Sequence, residues 1–220
     1  MNVFICICAS SRPALLNKTL DSLKKINKPK KISLSVIIID NTIHKLNRAT
    51  TNKYEHNTKF KIFYEHELNQ GIVHARNKFL KILRDKKEKI DLVGFIDDDC
   101  IVDKEWLVNH MYSLKISSSD ISTGPQYHDF TLKNEKKIFY ELTNRHINKD
   151  LSPTDWAATN NVLLNYKTIT KSNILFDIFL NSIGGSDQLF FLTLRKGGSK
   201  IIWNKNAFVI EDNSLKKINS

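Results

Sequence analysis

The run Leu92-Val93-Gly94-Phe95-Ile96 passes directly into Asp97-Asp98-Asp99, and the reading of the whole chain turns on this junction. Apolar residues without polar alternation fit a parallel strand covered on both faces, not a strand with one wet side. Val3–Ala9 and Leu34–Ile39 have the same character. Segments of helical period separate these runs, and that alternation predicts an α/β fold around a mixed, mostly parallel sheet flanked by helices. After the first run, Ser10 or Ser11 is expected as a helix N-cap with Pro13 in the first turn. Leu16, Leu20 and Leu23 then form the buried stripe. A second helix is expected after Gly71, turning Ala75, Phe79, Ile82 and Leu83 inward. A third begins near Lys104 and buries Trp106, Leu107, Met111 and Leu114. Further along, Asp120–Tyr127, Ala157–Leu164 and Ile201–Ile210 read as strands and Ser186–Leu194 as a helix. Neither an internal repeat nor a linker rich in Gly, Ser or Pro divides the chain, so a single domain over residues 1–220 is expected.

Bulk composition narrows the class. With 220 residues, 41% hydrophobic and 26% charged, the chain can bury a core without disulfides or a structural metal. Cys6, Cys8 and Cys100 offer no second pair for a zinc site and read as reduced, buried thiols of a cytosolic protein. No stretch approaches the ~20 apolar residues of a membrane span. The apolar N-terminus lacks a basic leader and reads as a first strand. A net charge of +11 points to nucleic acid, an anionic membrane surface or a phosphorylated small substrate. The lysines concentrate at Lys24–Lys31 and Lys81–Lys89, near expected helix ends, where a solvated surface and a membrane-facing patch are both admissible. Nucleic acid is disfavoured, because no reader motif and no interleaving of aromatic with basic residues occurs.

Ligands of open α/β sheets collect at the carboxyl ends of the strands. Those ends are Ala9-Ser10-Ser11-Arg12, Asp40-Asn41-Thr42 and Asp97-Asp98-Asp99. Three adjacent carboxylates emerging from apolar surroundings raise one another's pKa. Mn²⁺ or Mg²⁺ relieves this, taking one or two carboxylates together with substrate phosphate oxygens. Asp97 and Asp99, two apart, can face the same side of an extended chain; a solvated acidic loop or a cap for the next helix is the alternative. A second island runs from Glu67 to Asn77. There Gly71 permits a close turn, the helix it opens presents free N–H groups, and Arg76 lies one turn inside. Arg76 can meet a phosphate or a base edge, or stand as an ordinary helix arginine. His44, His56, His66 and His128 form no close-spaced ligand set.

Taken together, these motifs resemble family-2 glycosyltransferases of the GT-A fold. The likeness lies in Cys8-Ala-Ser10-Ser-Arg12-Pro13, Leu20-Asp-Ser22-Leu23, Ile39-Asp40-Asn41, Asn69-x-Gly71-x-x-x-Ala75-Arg76-Asn77 and Phe95-Ile-Asp97-Asp-Asp99. It extends over roughly residues 3 to 212 and is most specific in the first hundred. The resemblance implies an inverting, metal-dependent enzyme that moves a sugar from a nucleotide-diphosphate sugar, a UDP-sugar first among them, to an acceptor hydroxyl. Residues 1–103 would form the donor half and 104–220 the acceptor half. Asp40 would bind the base, Ala9, Ser10 and Arg12 would line the nucleoside pocket, and Arg76 would contact the nucleotide. Asp97 would lie near the ribose, and Asp99 would hold the metal.

Gly184-Gly185-Ser186-Asp187 looks like the family's Glu-Asp motif opening the acceptor-side helix, with Asp187 as base. Ser186 stands where the family has Glu and falls to acceptor contacts; a simple capping role is the alternative. Trp156 precedes the expected acceptor-side strand and is a candidate to stack on a sugar, or to pack in the core. Where many members carry a metal-binding histidine, this chain has Glu211-Asp212, so Glu211 is a substitute ligand for metal or acceptor. The implied setting is surface polysaccharide or glycolipid synthesis in the cytoplasm, with a saccharide or lipid-linked acceptor and peripheral contact with an anionic membrane. Two other readings use the same features. A nucleotidyltransferase would begin with a Gly-rich phosphate loop, which Ala9–Pro13 is not. A non-catalytic carbohydrate- or membrane-binding domain has no physical need for Asp40, Asp97, Asp99 and Asp187.

Overall fold

The computed structural model describes residues 1–56, 58–128 and 148–212. Its centre is an eight-stranded sheet whose parallel half runs β3 (Lys61–His66), β2 (Ser33–Asp40), β1 (Asn2–Ala9), β4 (Leu92–Asp97). Beyond β4 the sheet turns mixed. β9 (Asn161–Asn165) pairs antiparallel with both β4 and β6 (Ile121–Thr123), β10 (Ile201–Trp203) runs parallel to β6, and β8 (Ser152–Pro153) closes the edge. A second, three-stranded sheet places β11 (Val209–Glu211) between β5 (Cys100–Val102) and β7 (Gln126–His128).

The near-continuous apolar runs are explained by helices on both faces. Alternate β1 residues Val3, Ile5 and Ile7 pack with Leu16, Leu20 and Leu23 of α1 (Pro13–Lys24) and with Trp106 and Leu107 of α4 (Trp106–Ser117). Phe4, Cys6 and Cys8 face the other way. They meet Val73, Phe79 and Leu83 of α3 (Ile72–Asp85) and Phe190, Phe191 and Leu194 of the later helix Ser186–Lys196. From Val3 to Ala9 each β1 side chain is therefore buried whichever way it points, as two-period geometry between two helical layers requires. All three cysteines are buried free thiols. His110 of α4 is also core: it has no exposure, meets Ser122 and Asn161 at 2.8 and 3.0 Å, and has its pKa pushed down to about 4 by burial.

Four expectations need correction. The N-cap of α1 is Arg12, and no side chain caps the helix; Ser10 instead bonds to Asp98. Asp120–Tyr127 divides into β6 and β7, and Ile201–Ile210 into β10 and β11, each pair split between the two sheets. Gly124 marks the first division: a Cβ there would lie 2.1 Å from the Ala207 carbonyl, so the two chain segments cross at glycine distance. The Ala157–Leu164 strand begins only at Asn161. Edge strand β3 and the short helices α2 (Arg48–Asn52) and α5 (Tyr166–Ser172) carried no period strong enough to read. The helix Ser186–Lys196 is therefore α6.

Candidate active site

The parallel half reverses direction of travel between β1 and β4, which makes their carboxyl ends a switch-point crevice. Cys8 pairs with Asp97 at that end, and Ala9 pairs with Asp40 on the other side. The sequence motifs therefore meet in one place, but they divide the work differently from their reading in the chain.

Asp98, the middle carboxylate, is a brace. It is buried, and its Oδ2 accepts from the Ser10 N–H at 2.7 Å and the Ser10 hydroxyl at 3.0 Å, while Oδ1 pairs with Arg12. Arg12 reaches Asp99 Oδ2 as well, at 2.5 Å. Burial works against the guanidinium's charge, but Asp98 and Asp99 outweigh it and raise its pKa. Arg12 thus locks the turn after β1 to the turn after β4. Among the described residues, the other Asp99 oxygen meets only the Cys100 thiol, at 3.9 Å.

Asp40 is enclosed with no exposure, and five donors converge on it. They are the N–H and hydroxyl of Thr42, the N–H and side-chain amide of Asn47, and the Tyr64 hydroxyl, at 2.7 to 3.1 Å. Burial raises its pKa, yet these bonds to Thr42 and Asn47 more than offset that and lower it overall. Its visible work is to fold the loop after β2. Next to it, Asn41 donates to the carbonyls of Glu67 and Asn69 and accepts from the Gly71 N–H. One asparagine thereby sets the turn that opens α3. Gly71 needs its freedom there: φ is +126°, and a Cβ would lie 2.0 Å from the Asn181 amide.

Arg76 and Asp187 come together from opposite halves of the chain. Arg76, nearly buried, donates to the Ser186 hydroxyl at 3.1 Å and lies 5.4 Å over the Phe176 ring. Asp187 occupies the first turn of α6, behind Gly184 and Gly185, both in left-handed backbone. Ser186 is buried against Arg76, whereas Asp187 is partly exposed. Asp97 lies within electrostatic reach of both Arg76 and Asp187 and makes no hydrogen bond through its carboxylate among the described residues. Burial chiefly, opposed by Arg76 and reinforced by Asp99, Asp98 and Asp187, pushes its pKa up to about 6. Such a displacement in a cleft is a marker of a functional site.

It also has a consequence for stability. Folding raises the Asp97 pKa from 3.8 to about 6, so its ionisation opposes folding above pH 6 and stops doing so below about pH 4. At neutral pH the cost amounts to about 3 kcal/mol as an upper bound. Asp97→Asn is therefore expected to stabilise the unliganded chain at pH 8 by about 1–3 kcal/mol, with the gain vanishing near pH 4. Urea unfolding at the two pH values measures it, and an equal effect at both would remove the explanation.

At the far side of the crevice, Glu211 pairs in register with Cys100, one residue from Asp99. Gln126 donates to Glu211 Oε2, and His128 Nδ1 is 3.2 Å from the same oxygen. Asn160 in turn donates to Gln126. Trp156 is partly buried just ahead of buried Ala157 and Ala158. Among the described residues, no group of three or more His, Cys, Asp or Glu is gathered to hold a metal. The protein's share of a cation site would thus be small, the Asp99 oxygen that Arg12 leaves open. That suits Mg²⁺ or Mn²⁺, which complete their shells with substrate phosphates and water. Asn47, Tyr64, Asn181 and the Gln126–His128 strand were not legible as site residues, since single polar residues in loops or in short edge strands carry no period.

Residues 4–170 match the model of the family described as Glycosyl transferase family 2. Succinoglycan biosynthesis protein ExoM of Rhizobium meliloti (strain 1021) is 27% identical over 214 residues, covering 96% of this chain and 67% of that protein. The crystal structure of S. aureus TarS 1-349 in complex with UDP superposes with a TM-score of 0.73 at 17% identity, covering 96% of this chain and 60% of that one. The complex with UDP-GlcNAc gives 0.71 at 15%, covering 100% and 60%. This chain therefore spans about three fifths of the TarS chains it matches. At those identities the likeness shows the fold, which is GT-A.

Proposed function

The chain belongs to glycosyl transferase family 2 and is a glycosyltransferase, and from that premise we propose that it moves one sugar from a UDP-sugar to an acceptor hydroxyl with inversion, in the synthesis of surface polysaccharide or glycolipid. The observation that carries this reading is the meeting of Asp97, Arg76 and the Ser186–Asp187 turn at the switch-point crevice. The relatives are consistent with it, one in succinoglycan biosynthesis and another solved with UDP and with UDP-GlcNAc.

In the proposed reaction the donor lies across the ends of β1 and β4. Ala9, Ser10 and Arg12 frame the nucleoside, with Asp40 holding the loop that forms its far wall. Asp97 faces the ribose. Arg76 anchors the start of α6 through Ser186 and supplies positive charge beside Asp97. Asp187 accepts the proton of the attacking hydroxyl as the new bond to the anomeric carbon forms and the bond to the diphosphate breaks. A bound Mn²⁺ or Mg²⁺, held by Asp99 with Glu211 close by, would offset charge on the departing diphosphate. Trp156 and Ser186 stand on the acceptor side.

Calorimetric titration of UDP with and without Mn²⁺ tests the donor side. Binding that requires the metal supports the reading, and failure of UDP, GDP and dTDP alike, in either condition, overturns it. The anomeric configuration of the product, read by NMR, tests inversion.

A further inference from the structure

Between α5 and α6 the chain makes a short excursion whose construction the transfer reaction does not explain. At its start Phe176 is buried, stacked on Phe190 at 4.0 Å, and bonded through its backbone N–H and carbonyl to the Asn77 side chain, at 2.8 Å each. At its end Asn181 accepts from the Val73 N–H and donates to the Gln70 carbonyl. Both ends are thus tied to α3. The 3-10 turn Ile178–Leu180 between them is stiffened by Asp177, which accepts from the Phe179 N–H.

The anchored turn and the residues just after it hold apolar side chains out into solvent. Phe179 is 80% exposed, Ile183 79% and Ile178 55%, and Leu68, on the loop that Asn181 helps to pin, is 74% exposed. Hydrophobic residues scattered singly are ordinary, but several gathered on one fixed projection mark an interaction surface. Alongside it runs a groove of about 440 Å³. Its walls bring Lys78, Lys81 and Arg84 of α3 next to Leu175 and Ile178, with Glu67 as the acidic member. Arg84 also holds the turn's base by donating to the Ile174 carbonyl.

We propose that this projection docks the enzyme on an anionic bilayer, Phe179, Ile178 and Ile183 entering the interface while Lys81, Lys78 and Arg84 meet lipid phosphates. An apolar tip flanked by cations on a chain of net charge +11 matches the chemistry of interfacial binding, in which buried apolar area and attraction to anionic lipid act together. The proposal deepens the reading above and rests on it for its purpose. Ile183 lies four residues before Asp187, so docking would bring a lipid-linked acceptor to the base. Among the described residues no helix is long and apolar enough to cross a membrane, and surface docking needs none.

Flotation with phosphatidylglycerol/phosphatidylcholine vesicles, against phosphatidylcholine alone, tests it without reference to activity. The chain should float with the anionic vesicles and be released by salt. Phe179→Ser/Ile183→Ser should weaken partition about tenfold or more, and Lys81→Glu about threefold to tenfold. UDP binding by each variant, unchanged from the parent, shows that the fold and donor site are intact. Failure of the parent to float, or flotation of the double variant equal to the parent, overturns the proposal. A parent that is dimeric by sedimentation and a double variant that is monomeric would assign the surface to a second copy instead. Loss of UDP binding with flotation intact would sink the donor reading alone.

Discussion

Asp187→Asn is expected to reduce sugar transfer by about 10³-fold or more while UDP affinity stays within about twofold of the parent. The amide keeps the size and the helix position of the carboxylate but cannot accept the acceptor's proton. Asp187 is partly exposed and its one hydrogen bond within the described residues is a local one, from the Gln188 N–H at 3.0 Å. Little of the fold therefore depends on it, in contrast to Ser186 beside it, which is buried against Arg76. The loss should fall on kcat at saturating donor and acceptor. A variant that retained more than a tenth of the parent rate would remove Asp187 from the role of base.

Asp99→Ala should abolish the Mn²⁺-dependent part of UDP binding, an effect of about a hundredfold on the apparent Kd in the presence of metal. The change removes the carboxylate with an oxygen to spare and leaves Arg12 paired to Asp98. Asp98→Ala makes the contrast. Its carboxylate takes two bonds from Ser10 and one ion pair from Arg12, so its removal should cost fold stability first. Calorimetry for the two variants, with urea unfolding alongside, separates ligand from brace. Equal metal dependence in Asp99→Ala and the parent would exclude Asp99 as the metal-binding group.

Periodicity and strand ends by themselves determined a good deal of this protein. Runs buried on both faces can be read because β1, β2 and β4 lie between two helical layers, and that burial leaves no polar alternation. Asp40, Asp97 and Arg12 could be singled out because chemistry in such sheets gathers where strands stop. The second sheet was not legible, since β5, β7 and β11 are three residues each and too short to show a period.

What each carboxylate does was likewise beyond the sequence. Asp97, Asp98 and Asp99 are identical in the chain, and only the partners that folding brings to them make one a brace, one an ion-pair partner with a free oxygen and one a group titrating near pH 6. Asp40 is the sharpest case: the residue is evident, but its five donors come from positions 42, 47 and 64. The same holds for Arg76 and Ser186, 110 residues apart in sequence. Hydrophobic pattern is local and survives in a linear chain, whereas a charge takes its function from neighbours that only tertiary structure supplies.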